Sequence, residues 1–98
     1  MTALVYSDVA KAEIKEAAFW YEERSNALGR DFEKEVFEKI EFLKTYPGRY
    51  AVVKQNFREV KIKRFPFKII YKFYKTRKII LITSVFHTSR NPKHKYKR

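Results

Sequence analysis

Phe67-Lys68-Ile69-Ile70-Tyr71-Lys72-Phe73-Tyr74 is the stretch whose reading decides the fold. Phe67, Ile69, Tyr71 and Phe73 stand at every second position, with Lys68, Ile70, Lys72 and Tyr74 between them. A strand turns successive side chains to opposite faces, so a period of two predicts a β-strand over 67–74. Lys75-Thr76-Arg77 reads as a tight turn, and the run 79–87 after it is apolar on both faces, the pattern of a strand in the middle of a sheet. Upstream, Val60 and Ile62 alternate with Glu59, Lys61 and Lys63 over 57–63, and Ala51-Val52-Val53 is a shorter strand candidate.

Toward the N-terminus the period changes to that of a helix. Phe32, Val36, Ile40 and Leu43 form one stripe of a helix expected over 30–45, with Glu33, Glu35, Lys39, Glu41 and Lys44 on its wet side and Pro47-Gly48 as its stop. The run 11–23 is rich in Ala, Glu and Lys, all good helix formers. Ala10, Ile14, Ala17, Tyr21 and Leu28 mark the core side of this first helix, and Ser7 or Asp8 is its expected cap. Ser25-Asn26 and Gly29 mark the break between the helices, and Leu4-Val5-Tyr6 is a short opening strand. The order predicts an α+β fold: a short N-terminal strand, then a helical hairpin packed on one face of an antiparallel sheet of three or four strands. No repeat or linker interrupts the 98 residues, so a single domain over 1–98 is expected.

Composition narrows the chemistry. Cys is absent and His occurs twice, which excludes disulfides, thiolate catalysis and a zinc site of the usual kind; no metal or cofactor is expected. Gly occurs only at Gly29 and Gly48, so there is no glycine-rich phosphate loop. No apolar run approaches the ~20 residues of a membrane span. The start, Met1-Thr2-Ala3-Leu4, lacks the features of a signal peptide. A cytoplasmic protein without a membrane partner is the expectation.

Charge is divided along the chain. Lys and Arg number 23 against 11 Asp and Glu, a net of +12. Up to Arg49 there are 8 basic and 10 acidic residues; from Tyr50 onward there are 15 basic residues and one acid, Glu59. A cationic half of this kind seeks polyanions or acidic protein surfaces. The sheet face away from the helices is expected to carry Lys61, Lys63, Lys68 and Lys72 on adjacent strands, where neighbours stand roughly 5 Å apart. Like charges at that spacing repel unless an anion joins them. The plainer alternative is a solvated face whose long Lys stems cover apolar surface.

Lys, Arg, Tyr and His side chains can bind a phosphodiester, and in RNA can cleave one through a base, an acid and cations on the phosphorus. Arg90 and Tyr96 follow the last strand, and a returning tail would bring them over the lysines. Arg58, Arg64, Lys72, His87 and His94 are further candidates for holding an anion or a target. The bland roles for these residues are a structural hydrogen bond for His87, a sheet cap or ion pair for Arg90, and a core anchor for Tyr96.

Several segments resemble the RelE/ParE superfamily of type II toxins, the toxic halves of bacterial toxin–antitoxin pairs. Ala18-Phe19-Trp20-Tyr21-Glu22 is similar to the family's first-helix segment, and Leu28-Gly29-Arg30-Asp31-Phe32 to the turn into its second helix. Tyr46-Pro47 resembles the helix end, and Phe57-Arg58 with Phe65-Pro66-Phe67-Lys68-Ile69-Ile70-Tyr71 the central strand pair. Val85-Phe86-His87-Thr88-Ser89-Arg90-Asn91-Pro92 resembles the closing motif. The resemblance implies a plasmid-stabilisation type of toxin neutralised by an acidic antitoxin. One branch blocks DNA gyrase through protein contacts, and the Trp-Tyr-Glu, Phe-Pro-Phe and His-Thr-Ser-Arg-Asn-Pro stretches look more like it. The other cleaves mRNA on the ribosome without a metal; Lys61, Lys63, Lys68, Arg90 and Tyr96 look like its working groups, with Lys68 standing where that branch has an Arg. A non-toxic nucleic-acid-binding module is the third possibility. A homodimer through the first helices is compatible with the charge, because the helical half is near neutral.

Overall fold

Ser7 starts the first helix as its hydroxyl accepts a hydrogen bond from the Ala10 N–H at 3.0 Å. The cap satisfies one of the N–H groups that a first turn leaves without a partner. The structure, a computed structural model, describes residues 2–89. It contains β1 (Ala3–Tyr6), α1 (Asp8–Arg24), α2 (Leu28–Thr45), β2 (Val52–Lys54), β3 (Phe57–Lys61), β4 (Phe67–Tyr74) and β5 (Ile79–His87). The five strands form one sheet in the order β1-β5-β4-β3-β2. The expected antiparallel set is present, and β1 extends it as an edge strand parallel to β5, which makes the sheet mixed.

The helical hairpin closes more tightly than the break signals suggested. Gly29 lies inside α2, and a Cβ built there would stand 2.2 Å from the Ala18 carbonyl oxygen. The glycine is therefore a close-approach residue, and the reversal falls on Ser25–Ala27 instead. Ala27 takes a left-handed conformation, φ 69°, which disfavours a residue with a Cβ. Glu22 reaches forward from α1 and accepts from the Ala27 N–H (2.9 Å) and the Gly29 N–H (3.0 Å), capping α2 in place of a local side chain. The Ala27 hydrogen bond, more than any other contact, holds the Glu22 carboxyl below the usual carboxylate range.

One face of the sheet packs on the helices. The core there joins Ala10, Ile14, Phe32, Val36, Ile40 and Leu43 to Val60, Ile69, Tyr71, Ile80, Ile82 and Val85. Phe67, Ile69 and Tyr71 all point inward, as the alternation of β4 requires, while Lys68, Ile70 and Lys72 face away. On β5 the parity changes. Ile70 pairs with Ser84 but Tyr71 pairs with Ile82, so Thr83 is an extra residue in a β-bulge. The bulge lets Ile80, Ile82 and Val85 all join the core although the last two are three positions apart. Thr83 donates through Oγ1 to the Ile70 carbonyl (3.1 Å), and its own carbonyl accepts from the Ser7 hydroxyl (3.0 Å). Phe57, Ile70 and Phe86 form a second buried cluster.

Candidate functional site

β3 and β4 are in register with Lys61 opposite Lys68, Glu59 opposite Ile70 and Phe57 opposite Lys72. Since Val60 and Ile69 point into the helical core, these six residues lie on the other face. Lys61, Lys68 and Lys72 are therefore brought together as the alternation predicted. Their mutual repulsion is partly relieved from within. The Lys68 ammonium lies 3.4 Å from the Glu59 carboxylate, whose side chain is only 9% exposed against 34% for Lys68. The Lys72 ammonium sits 4.5 Å from the centroid of the Phe57 ring, within cation–π range.

Lys63 does not join this face. β3 ends at Lys61, and residues 62–66 form the bend into β4. Glu35 of α2 captures that bend: its Oε2 accepts from the Lys63 N–H at 2.6 Å and the Arg64 N–H at 3.1 Å. Arg64 also pairs with Asp31 of α2 at 3.7 Å. Both residues thus sit beside helix carboxylates, which corrects the expectation of four lysines on one face. Lys63 belongs to a loop whose course is set by α2, beyond the end of the alternating strand.

The other candidates separate further. Arg58 points to the core side of β3 and donates through Nη1 to the Tyr50 carbonyl, tying down the chain before β2. His87 lies on the α1 side; its Nδ1 accepts from the Ser89 N–H at 3.0 Å, and its ring meets Phe67 edge-on at 4.9 Å. Arg90, His94 and Tyr96 lie outside the described residues.

Two carboxylates that the sequence reading passed over matter more than several of these cations. Glu59 is one. Glu13 is the other: only 7% exposed, it accepts from the Ser84 hydroxyl at 2.7 Å and from the Val85 N–H at 3.0 Å, fastening α1 to β5 beside the bulge. The signal was present, because Glu13 lies between Ala10 and Ala17 at helical spacing, on the stripe that faces the core. Next to it, Glu13, Trp20, Tyr21, Pro66, Phe67 and His87 line a cleft between α1 and the end of the sheet. Trp20 is 50% exposed there, with the Arg24 guanidinium stacked 3.5 Å from its ring centroid.

Among the described residues no group of three His, Asp or Glu side chains could hold a metal ion, and no helix is long and apolar enough to cross a membrane. The two sides offer different chemistry: ammonium groups on one sheet face, and an aromatic cleft with acidic residues on the other.

This arrangement, a helical hairpin packed on a mixed sheet, is that of the RelE/ParE superfamily of toxins. The family model for the ParE toxin of type II toxin–antitoxin systems matches residues 4–92. The chain therefore belongs to the ParE toxin family. Among solved structures, the chromosomal ParDE system from P. aeruginosa is similar over 91% of this chain and 98% of that one, at 17% identity and a TM-score of 0.71. The intact RelBE toxin–antitoxin complex from E. coli is similar over 92% of this chain and 100% of that one, at 13% identity and a TM-score of 0.72. The YoeB/ParE toxin from Agrobacterium tumefaciens matches over 88% and 98%, at 14% identity and a TM-score of 0.61. At these identities the likeness is one of fold. No curated protein matches the sequence.

Proposed function

We propose that this protein is a cytoplasmic, growth-arresting toxin that inhibits DNA gyrase through protein contacts, without covalent chemistry of its own, and that an acidic antitoxin neutralises it. The ParE family match supports the gyrase branch. The observation that carries the non-enzymatic reading is the division of the basic groups. A ribonuclease site built from Lys61, Lys63 and Lys68 needs all three around one phosphate. Lys63 instead stands in the loop captured by Glu35, and Lys68 is engaged by Glu59. Groups so divided suit a surface that docks against a partner better than a site that moves protons.

The antitoxin follows from the charge and the relatives. A half-chain of 15 basic residues and one acid attracts an acidic protein, and the ParDE and RelBE structures are of toxin–antitoxin systems. Controlled expression should arrest growth, and coexpression of a short acidic protein encoded beside it should restore growth. Normal growth on induction would remove the toxin reading.

A second reading, ribosome-dependent mRNA cleavage, is favoured by one feature: Lys61 and Lys68 stand directly opposite each other on the same face. In that case messages are cut in codon register only when ribosomes are present, and Arg90→Ala abolishes cutting while the fold is kept.

A further inference from the structure

On the sheet face away from the helices, Glu59 stands inside a triangle of lysines. β3 presents Phe57, Glu59 and Lys61 there, and β4 presents Lys72, Ile70 and Lys68 across from them in that order. Glu59 is the one acid after Arg49, and its carboxylate lies 3.4 Å from the Lys68 ammonium. Lys61, directly opposite Lys68, is exposed. A carboxylate carried on an extended backbone already fills the space among these cations, which makes it a template for what else fits.

Lysines also attract nucleic acid, but binding single strands depends on exposed aromatic faces for base stacking. Phe57 and Phe86 on this face are buried, and Phe57 is further engaged by Lys72, which leaves Tyr74 at the far end of β4 as the one exposed ring that this strand presents there, too few for successive bases to stack on. The spacing suits a peptide instead. Alternate residues of an extended strand lie roughly 7 Å apart on one side, about the separation of diagonal partners in a sheet.

We infer that this face is a docking strip for an extended acidic peptide, and that Glu59 holds in the free chain the place that one of the peptide's carboxylates takes in the complex. The inference rests on the antitoxin reading above and adds to it a location and a mechanism. Glu59 is an internal competitor: an incoming carboxylate must draw Lys68 away from it. A ligand with one negative charge gains little by that exchange. A segment with carboxylates at every second position engages Lys61 and Lys72 as well and prevails. Glu59 thereby filters partners by charge density.

The test uses the full chain and a synthetic peptide alternating Glu with Thr, titrated at low salt and followed by fluorescence anisotropy. Glu59→Gln should bind about twofold to fivefold tighter than the parent, the range expected for freeing one half-buried ammonium. Lys68→Gln should weaken binding more in the Glu59→Gln background than in the parent, because the lysine is then no longer engaged internally. Lys61→Gln, at an exposed position with no fold to upset, should weaken binding in both backgrounds. Equal or weaker binding by a folded Glu59→Gln protein would overturn the competitor role. An unaffected titration with Lys61→Gln would overturn the strip. Binding of an RNA oligonucleotide but not the peptide would overturn the ligand class. The titration does not depend on toxicity. A non-toxic chain that passes it sinks the toxin reading alone, and a toxin neutralised by its antitoxin that fails it sinks the docking strip alone.

Discussion

Replacing Gly29 by Ala tests the packing that places every other element. A methyl group at this position stands 2.2 Å from the Ala18 carbonyl oxygen, 3.0 Å from the Glu22 Cβ and 3.1 Å from the Ala18 carbonyl carbon. The nearest atom belongs to the α1 backbone, so relief requires moving one helix against the other by roughly 1 Å, and a close-packed interior yields poorly to such a shift. Overpacking of this kind costs about 1–3 kcal/mol. The same movement stretches the Gly29 N–H hydrogen bond to Glu22, worth about 1 kcal/mol. Ala is the better helix former by about 1 kcal/mol, which offsets part of the loss. The net is a destabilisation of about 2 kcal/mol. For a domain of this size it lowers the melting temperature by roughly 10 °C. Gly48→Ala is the control, because a Cβ there meets nothing within 4 Å and φ is not positive; it should be neutral or stabilising by up to about 1 kcal/mol. Thermal unfolding followed by circular dichroism reads both. Equal melting temperatures for Gly29→Ala and the parent would refute the close approach of the two helices.

Substitutions at three further positions probe the site and its supports. Burial pushes the Tyr71 phenol up to about 12, with Arg58 pulling partly back, and its hydroxyl has no hydrogen-bond partner among the described residues. Because the value is raised on folding, stability is at its full level below the ordinary value of 10.0 and is lost as pH rises through about 12; Tyr71→Phe, which removes the unpartnered hydroxyl, should gain about 1 kcal/mol at neutral pH and show a shallower alkaline decline in urea unfolding. Glu13→Ala removes the acceptor of the Val85 N–H and should cost about 2–3 kcal/mol, whereas Glu13→Gln, which keeps the oxygen, should cost less than half of that. Ala27→Gly relieves the left-handed conformation at φ 69° and should raise stability by about 1 kcal/mol, read as a higher melting temperature.

Much of the fold was legible because local period and burial agree. The stripe Phe32, Val36, Ile40 and Leu43 is fully buried, and the inward set of β4 is the one its alternation names. The misreadings share a physical cause. Gly29 reads as a helix breaker, but its missing Cβ serves a contact with Ala18 that no local pattern reveals. Lys63 continues the alternation of its strand in sequence, yet the strand stops two residues earlier, where Glu35 of α2 receives the bend. The parallel pairing of β1 with β5 and the bulge at Thr83 depend on partners some 70 residues apart in the chain, such as Ser7 and Thr83. Of the candidate site, the lysine face was readable from period and charge. The part of Glu59 within it was not, because a lone acid in a basic half looks incidental until the register places it diagonally from Lys68.

The most direct measurement of the central claim is plasmid supercoiling by purified DNA gyrase in the presence of the purified full chain. The account predicts that supercoiling is inhibited and that cleaved plasmid accumulates with the enzyme. Supercoiling at the normal rate, by a chain that halts growth and cuts messages on ribosomes, would contradict it.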